Sequence, residues 1–332
     1  MNKKGKSKVI MKLKKFIIVV ISFCTVSGFA QGKVKQSDVV LNAKDCKIYG
    51  TLKVPKTKGK VPVALFIAGS GPTDRNCNQP GMISNAFKML SDSLNRYGIA
   101  TLCYDKRMIA KSTTKQREDD LRFEDYIEDA KSWIELLSQD SRFSEVVVIG
   151  HSEGSLIGMV ACVDNPKVSK FISLAGAGSP IDEVLKEQIM REETLTNFQK
   201  SQIFSYINEL KQGSLLEDVP AYLYSLFRPS VQPYLISLFK YEPQEEIAKL
   251  KIPVLILQGD LDIQVSEDEA DLLHEAYPAA KKVIIEDMNH VLKNSESTDK
   301  KEQYKDSYNN PTSPVNAILV KEIVGFVKQK IK

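Results

Sequence analysis

Histidine occurs only three times in the 332 residues and no His-Glu-x-x-His pair is present, which leaves little material for a metal site. Cysteine is nearly as scarce. Cys46, Cys77, Cys103 and Cys162 are separated by long intervals without a Cys-x-x-Cys pair. No obligatory disulfide is therefore expected, and Cys103 and Cys162 read as core residues of a strand and a helix. No internal repeat is visible. The apolar run at residues 16–26 is well short of the roughly 18 residues that a bilayer span requires. Basic charge is missing where a nucleic acid would need it. The formal net charge is +4, but residues 1–30 carry seven lysines and no acid, and removing those seven charges leaves −3 for the rest. Without a basic stripe to neutralise phosphates, a nucleic-acid role loses its main support.

What residues 1–30 do contain is ordered. Met11-Lys12-Leu13-Lys14-Lys15 precedes the apolar run, and Ser27-Gly28-Phe29-Ala30 follows it with small residues at the cleavage positions. This reads as a secretory signal peptide cut after Ala30, with no stable membrane insertion once it is removed. Phe23 stands where a small residue would have to precede a lipidated Cys24, which argues against lipidation. Residues 31–332 are then expected to form one secreted or periplasmic domain. At 42% hydrophobic and 27% charged, the chain can bury one large core.

The stretch Val146-Val147-Val148-Ile149-Gly150-His151-Ser152-Glu153-Gly154-Ser155 organises the rest. A buried apolar strand runs into Gly-x-Ser-x-Gly and then into a helical pattern, the signature of a nucleophile elbow. The serine must occupy the tip of a strained strand-to-helix turn, and the positions two before and two after it approach so closely that a Cβ would collide. Gly150 and Gly154 meet that requirement. The turn also sets Ser152 over the start of a helix, whose free N–H groups favour a developing negative oxygen.

Around the elbow, strands and helices alternate. Residues 39–41 and 48–54 read as an antiparallel edge hairpin, and residues 63–68 as a strand buried on both faces. Gly69-Ser70-Gly71-Pro72-Thr73-Asp74-Arg75 follows. As a phosphate cradle it fails, lacking a third glycine and interrupted by Pro72. As an oxyanion loop it fits: an N–H at Ser70 would pair with the N–H of Glu153. Helices are expected over 86–97, 123–137, 156–163, 267–277 and 315–331, and strands over 99–104, 171–174, 252–258 and 283–285. Residues 111–120 read as a charged linker and 294–313 as a polar loop. This alternation predicts a mostly parallel, doubly wound sheet. It breaks at about 180–248, where two helical stripes and an aromatic-rich, proline-punctuated stretch form an all-helical insertion expected to cover Ser152 as a lid. Most of its aromatics (Tyr222, Tyr224, Phe227, Tyr234, Phe239 and Tyr241) are expected to pack lid onto body, with one or two lining a pocket.

A serine hydroxyl is a weak nucleophile until a base accepts its proton, and the base needs an anion to fix its tautomer. His151 abuts the serine but leaves the elbow in another direction. His274 sits inside a helix. His290 lies in the loop after the last strand, where open α/β sheets place reactive groups, and is the expected base. For the acid, Asp260 and Asp262 compete in the loop after the preceding strand. Asp262 is preferred because the loop has turned back toward the sheet there, while Asp260 suits a turn. Asp287 is tied too closely to the chain entering His290. The order Ser152, Asp262, His290 differs from that of the trypsin-like and subtilisin-like proteases.

These stretches, together with Tyr104-Asp105-Lys106-Arg107 and Asn289-His290, resemble in their order an α/β-hydrolase of the secreted, lid-bearing carboxylesterase type grouped with serine aminopeptidases. The resemblance implies the α/β-hydrolase fold, a triad on Ser152, Asp262 and His290, oxyanion donors at Ser70 and Glu153, no metal and no cofactor. Two departures stand out. Such proteins usually continue Arg-Gly-x-Gly where this chain has Arg107-Met108-Ile109-Ala110, and Asn76-Cys77-Asn78 replaces Asp-Gly-Asn. The leading expectation is a serine carboxylesterase acting on a small-molecule ester through an acyl-enzyme. The rival is an aminopeptidase or amidase with the same triad. It would need a lid carboxylate to hold a free amino terminus, for which Asp182, Glu183, Glu187, Glu192 and Glu193 are available. A non-catalytic binding module is the third reading, and the intact triad argues against it.

Overall fold

Eight main strands form one mixed sheet in the computed structural model, which describes residues 34–330. The signal peptide expected over residues 1–30 lies outside the described residues. In chain order the elements are β1 (Val34–Ala43), β2 (Cys46–Pro55), β3 (Val61–Ile67), α1 (Ala86–Arg96), β4 (Ala100–Tyr104), α2 (Phe123–Ser138), β5 (Phe143–His151), α3 (Glu153–Cys162) and β6 (Val168–Leu174). The helical insertion follows as α4 (Ile181–Arg191), α5 (Asn197–Lys211), α6 (Tyr224–Phe227), α7 (Gln232–Leu238) and α8 (Pro243–Ala248). The chain then returns to the sheet with β7 (Val254–Gly259), α9 (Glu267–Ala276), β8 (Lys281–Ile285) and α10 (Ala317–Lys328).

The strand order is β1-β2-β4-β3-β5-β6-β7-β8. The β1–β2 and β2–β4 pairs are antiparallel, and every later pair is parallel. The unbroken apolar runs now have their explanation. Alternate residues of β3 enter opposite layers, with Val63, Leu65 and Ile67 in one core and Ala64, Phe66 and Ala68 in the other. A strand covered on both faces has no polar side to show. One core takes Trp133 and Ile134 from α2 and Leu156 and Ile157 from α3. The other takes Phe87 and Leu90 from α1 and Leu319 and Ile323 from α10. Each such side chain, fully buried, contributes about 1.5–3 kcal/mol of hydrophobic stabilisation.

Two stretches differ from their sequence reading. Residues 111–120 are not only linker, because Thr113–Thr114 add a short antiparallel rung to β2. Residues 294–313 are not an open polar loop. Asp299 caps a helical turn at Lys300–Gln303 by accepting from the Glu302 N–H, and a wider turn carries it on through Tyr304–Tyr308. Its inner face is tied to the body: Asn289 Nδ2 donates to the Ser307 hydroxyl, and the buried Lys293 ammonium donates to the carbonyls of Ser84, Ser307 and Asn310. Four cysteines, Cys46, Cys77, Cys103 and Cys162, are buried and free. Burial pushes the Cys77 and Cys103 thiols up to about 12, which leaves them unreactive as nucleophiles. No helix among the described residues is long and apolar enough to cross a membrane.

Candidate active site

Ser152 sits between the end of β5 and the start of α3 with φ 55° and ψ −125°, a conformation that costs a non-glycine residue roughly 1–3 kcal/mol and persists only where the surroundings enforce it. Both flanking glycines are needed. A Cβ on Gly150 would lie 2.6 Å from the Ser155 Cα, and one on Gly154 would lie 2.7 Å from the Ala68 carbonyl oxygen. The turn is pinned by the Ser152 N–H donating to the Leu174 carbonyl at the end of β6, 2.9 Å. The loop after β3 lies directly against it, since a Cβ on Gly69 would stand 3.0 Å from that of Ser152.

The side chains expected to serve as base and acid arrive from the carboxyl ends of β8 and β7. His290 Nδ1 is 2.7 Å from Asp262 Oδ2, with both side chains almost fully buried. The Asp262 Oδ1 accepts from the backbone N–H groups of Gln264 and Val265, 2.8 and 3.0 Å, and Oδ2 accepts from Gln258 Nε2, 3.1 Å. Burial alone would raise the Asp262 carboxyl. The facing His290 and the two amides outweigh it and hold the group below the usual carboxylate range, so Asp262 stays ionised and fixes the Nδ1–H tautomer of His290. The rivals are placed elsewhere. Asp260 and Asp287 are exposed, and Gly259 lets the acid loop touch the histidine loop, where a Cβ would collide with the Met288 carbonyl.

His151 packs beside His290 at the cavity wall, and it has a task that the sequence did not reveal. Its Nε2 is 2.8 Å from the His290 carbonyl oxygen and its ring centroid is 4.8 Å from that of His290, with Phe87 edge-on at 5.9 Å. Only a protonated Nε2 can donate to a carbonyl, so His151 is the neutral Nε2–H tautomer. Burial, reinforced by the neighbouring His290, drives its pKa down to about 3. A histidine beside a Gly-x-Ser-x-Gly serine is the one signal that could have marked it.

Ser152 and His290 line a single cavity of about 450 Å³. Gly69, Ser70 and Glu153 line it too, and neither the Ser70 N–H nor the Glu153 N–H donates to a protein acceptor among the described residues. That is the state expected of donors waiting for an oxyanion. The insertion supplies the apolar part of the wall through Ile181, Val184, Leu185, Leu226, Val231 and Leu235. Of the six aromatics in its proline-punctuated stretch, only Tyr234 lines the cavity. Tyr222 and Tyr224 are half exposed, while Phe227 and Phe239 are buried in the core. Tyr304 and Tyr308 complete the wall from the misread loop, with the Tyr308 hydroxyl 3.1 Å from Gln264 Nε2.

The remaining charged motif residues hold loops in place. Arg75 donates to Asp105 from Nη2 at 2.6 Å and from its backbone N–H at 2.9 Å. Arg107 grips Asp129 through two bonds of 2.6 and 2.7 Å. Met108 and Ala110, at the two positions where the resemblance led one to expect glycine, adopt φ of 65° and 50°. Both angles lie in the left-handed region that favours glycine, so each side chain there carries backbone strain.

The comparisons with known proteins agree with this architecture. The serine aminopeptidase S33 family matches residues 80–217, less than half of the chain. Esterase EstD of Thermotoga maritima is 25% identical over 275 residues, covering 78% of this chain; the chain spans 60% of that relative's length. Among solved structures, the ferulic acid-bound Est1E of Butyrivibrio proteoclasticus superposes with a TM-score of 0.59 at 17% identity, covering 87% of this chain and 96% of that one. The Pyrococcus furiosus esterase Pf2001 superposes with a TM-score of 0.52 at 16% identity, covering 77% and 84%. The sheet order, the elbow and these likenesses together show the α/β-hydrolase fold.

Proposed function

We propose that the protein is a serine carboxylesterase working through an acyl-enzyme on Ser152. His290 accepts the Ser152 proton as the hydroxyl oxygen attacks the ester carbonyl, and Asp262 stabilises the imidazolium. The negative oxygen of the tetrahedral intermediate is held by the N–H groups of Ser70 and Glu153. His290 returns its proton to the departing alcohol, and a water activated by the same imidazole releases the acid. The observation that carries this reading is the shared cavity, which joins the strained serine, the paired imidazole and two free N–H groups to an apolar wall of small-molecule size. The esterase names of the relatives support it.

The aminopeptidase reading needs an anion in the cavity for a free ammonium. Asp182 is bound by Lys211 and lies near Lys186, Glu183 binds Lys186, Glu187 binds Arg191 and Glu192 binds Lys300. Glu193 is exposed, and none of the five lines the cavity. The carboxylate that does line it, Glu153, already faces the buried Lys106 ammonium at 4.0 Å. We place the mature enzyme in a secreted or periplasmic compartment on the strength of the lysine-rich start, the short apolar run and the small residues ending at Ala30. Hydrolysis of short- and medium-chain nitrophenyl esters should exceed that of aminoacyl amides; amide cleavage outpacing ester cleavage would transfer the assignment to a peptidase.

A further inference from the structure

Asp105-Lys106-Arg107 follows directly on β4. Asp105 and Arg107 are consumed by Arg75 and Asp129, but Lys106 points elsewhere. Its side chain is 2% exposed. The Nζ donates to the Gly69 carbonyl at 2.6 Å, stands 4.0 Å from Glu153 Oε1, and lies 5.2 Å from the Tyr126 ring centroid. Burial holds this ammonium below the usual lysine range, with Glu153 opposing the shift. Keeping a cation in such a place is costly, and an apolar side chain of similar volume would fill the space at less expense. Stability alone does not explain it.

The Gly69 carbonyl and the Ser70 N–H belong to the same peptide unit. Because that unit is planar and trans, fixing the direction of the C=O fixes the direction of the N–H. A cation on the oxygen also polarises the amide and strengthens its N–H as a donor. On its other side the ammonium faces the side chain of Glu153, whose own N–H is the second oxyanion donor. The geometry points to Lys106 as the positioning residue of the oxyanion hole, aligning and polarising the Gly69–Ser70 peptide from behind while anchoring Glu153. This inference rests on the esterase reading above. The loop it steadies begins at Gly69 and includes Gly71 at φ 72°; the Thr73 hydroxyl and Gln79 Nε2 hold the next carbonyl, that of Ser70, at 2.8 and 3.0 Å, which leaves the Gly69–Ser70 peptide itself to Lys106.

The test uses the full chain with Lys106→Met, Lys106→Arg and the double variant Lys106→Met/Glu153→Leu. kcat and KM are measured on a nitrophenyl ester, with inhibition by an alkyl boronic acid, which forms a tetrahedral adduct on the serine, and with melting temperature. Losing an aligned oxyanion donor is expected to lower kcat of Lys106→Met by about 10²–10³-fold, with KM moving less than about threefold and boronate affinity falling in step with kcat. The double variant removes both charges, so it should recover melting temperature without recovering kcat. If Lys106→Met does not fold, the wild type and the double variant decide between them. Recovery of kcat along with stability, or wild-type kcat in Lys106→Met, would show that the lysine is only half of a structural ion pair. A wild type that neither hydrolyses the ester nor takes up the boronate removes the esterase reading, and this inference with it.

Discussion

His151 gives the sharpest quantitative consequence of the site. The ring is buried, donates from Nε2 to the His290 carbonyl and is held neutral, with its pKa driven from 6.5 to about 3. In the unfolded chain the same imidazole takes up a proton near its ordinary value. The unfolded state therefore binds more protons than the folded state across the window from about pH 6.5 down to pH 3, and stability must fall as the pH falls. Between about pH 7 and pH 5 the loss from this one group is about 2 kcal/mol. His151→Gln keeps a donor of similar reach and removes the titration. Urea unfolding of wild type and His151→Gln at the two pH values isolates the term, because every other titrating group is common to both. The wild type should lose about 2 kcal/mol more than the variant on acidification. Equal losses in the two proteins would mean that His151 can protonate in place, and the tautomer and the hydrogen bond inferred for it would be wrong.

The loop after Arg107 and the choice of acid give two further tests. Ala110 is exposed and held at φ 50°, so Ala110→Gly should raise stability by about 1 kcal/mol, seen as a rise of about 2 °C in melting temperature; a fall would show that the left-handed conformation carries no strain there. Asp262→Asn should lower ester turnover by about 10⁴-fold, while Asp260→Asn at its exposed turn should change it little. The reverse order would reassign the acid.

What was legible in the sequence followed from short-range causes. The strands are unbroken apolar runs because layers of helices cover both faces, and Gly150 and Gly154 announce the turn because a Cβ fits at neither. The turn of the loop back toward the sheet ranked Asp262 above Asp260, and one bond to His290 distinguishes them in the structure. What escaped was long-range. Residues 294–313 are polar and mostly exposed, but Ser307 and Tyr308 are buried and bonded to Asn289, Lys293 and Gln264, so composition hid the inner face of a short helical segment. Met108 and Ala110 looked like a change of shape, yet the backbone keeps the glycine-like angles. The buried Lys106 gives no local sign, since its partners lie 37 and 47 positions away in the chain.

The central claim is that Ser152 is the nucleophile. Treatment with a fluorophosphonate followed by peptide mass spectrometry tests it directly: the wild type should carry one adduct, on the peptide containing Ser152, and Ser152→Ala should carry none. An unmodified wild type under conditions where the ester is hydrolysed, or an adduct that persists in Ser152→Ala, would contradict the account.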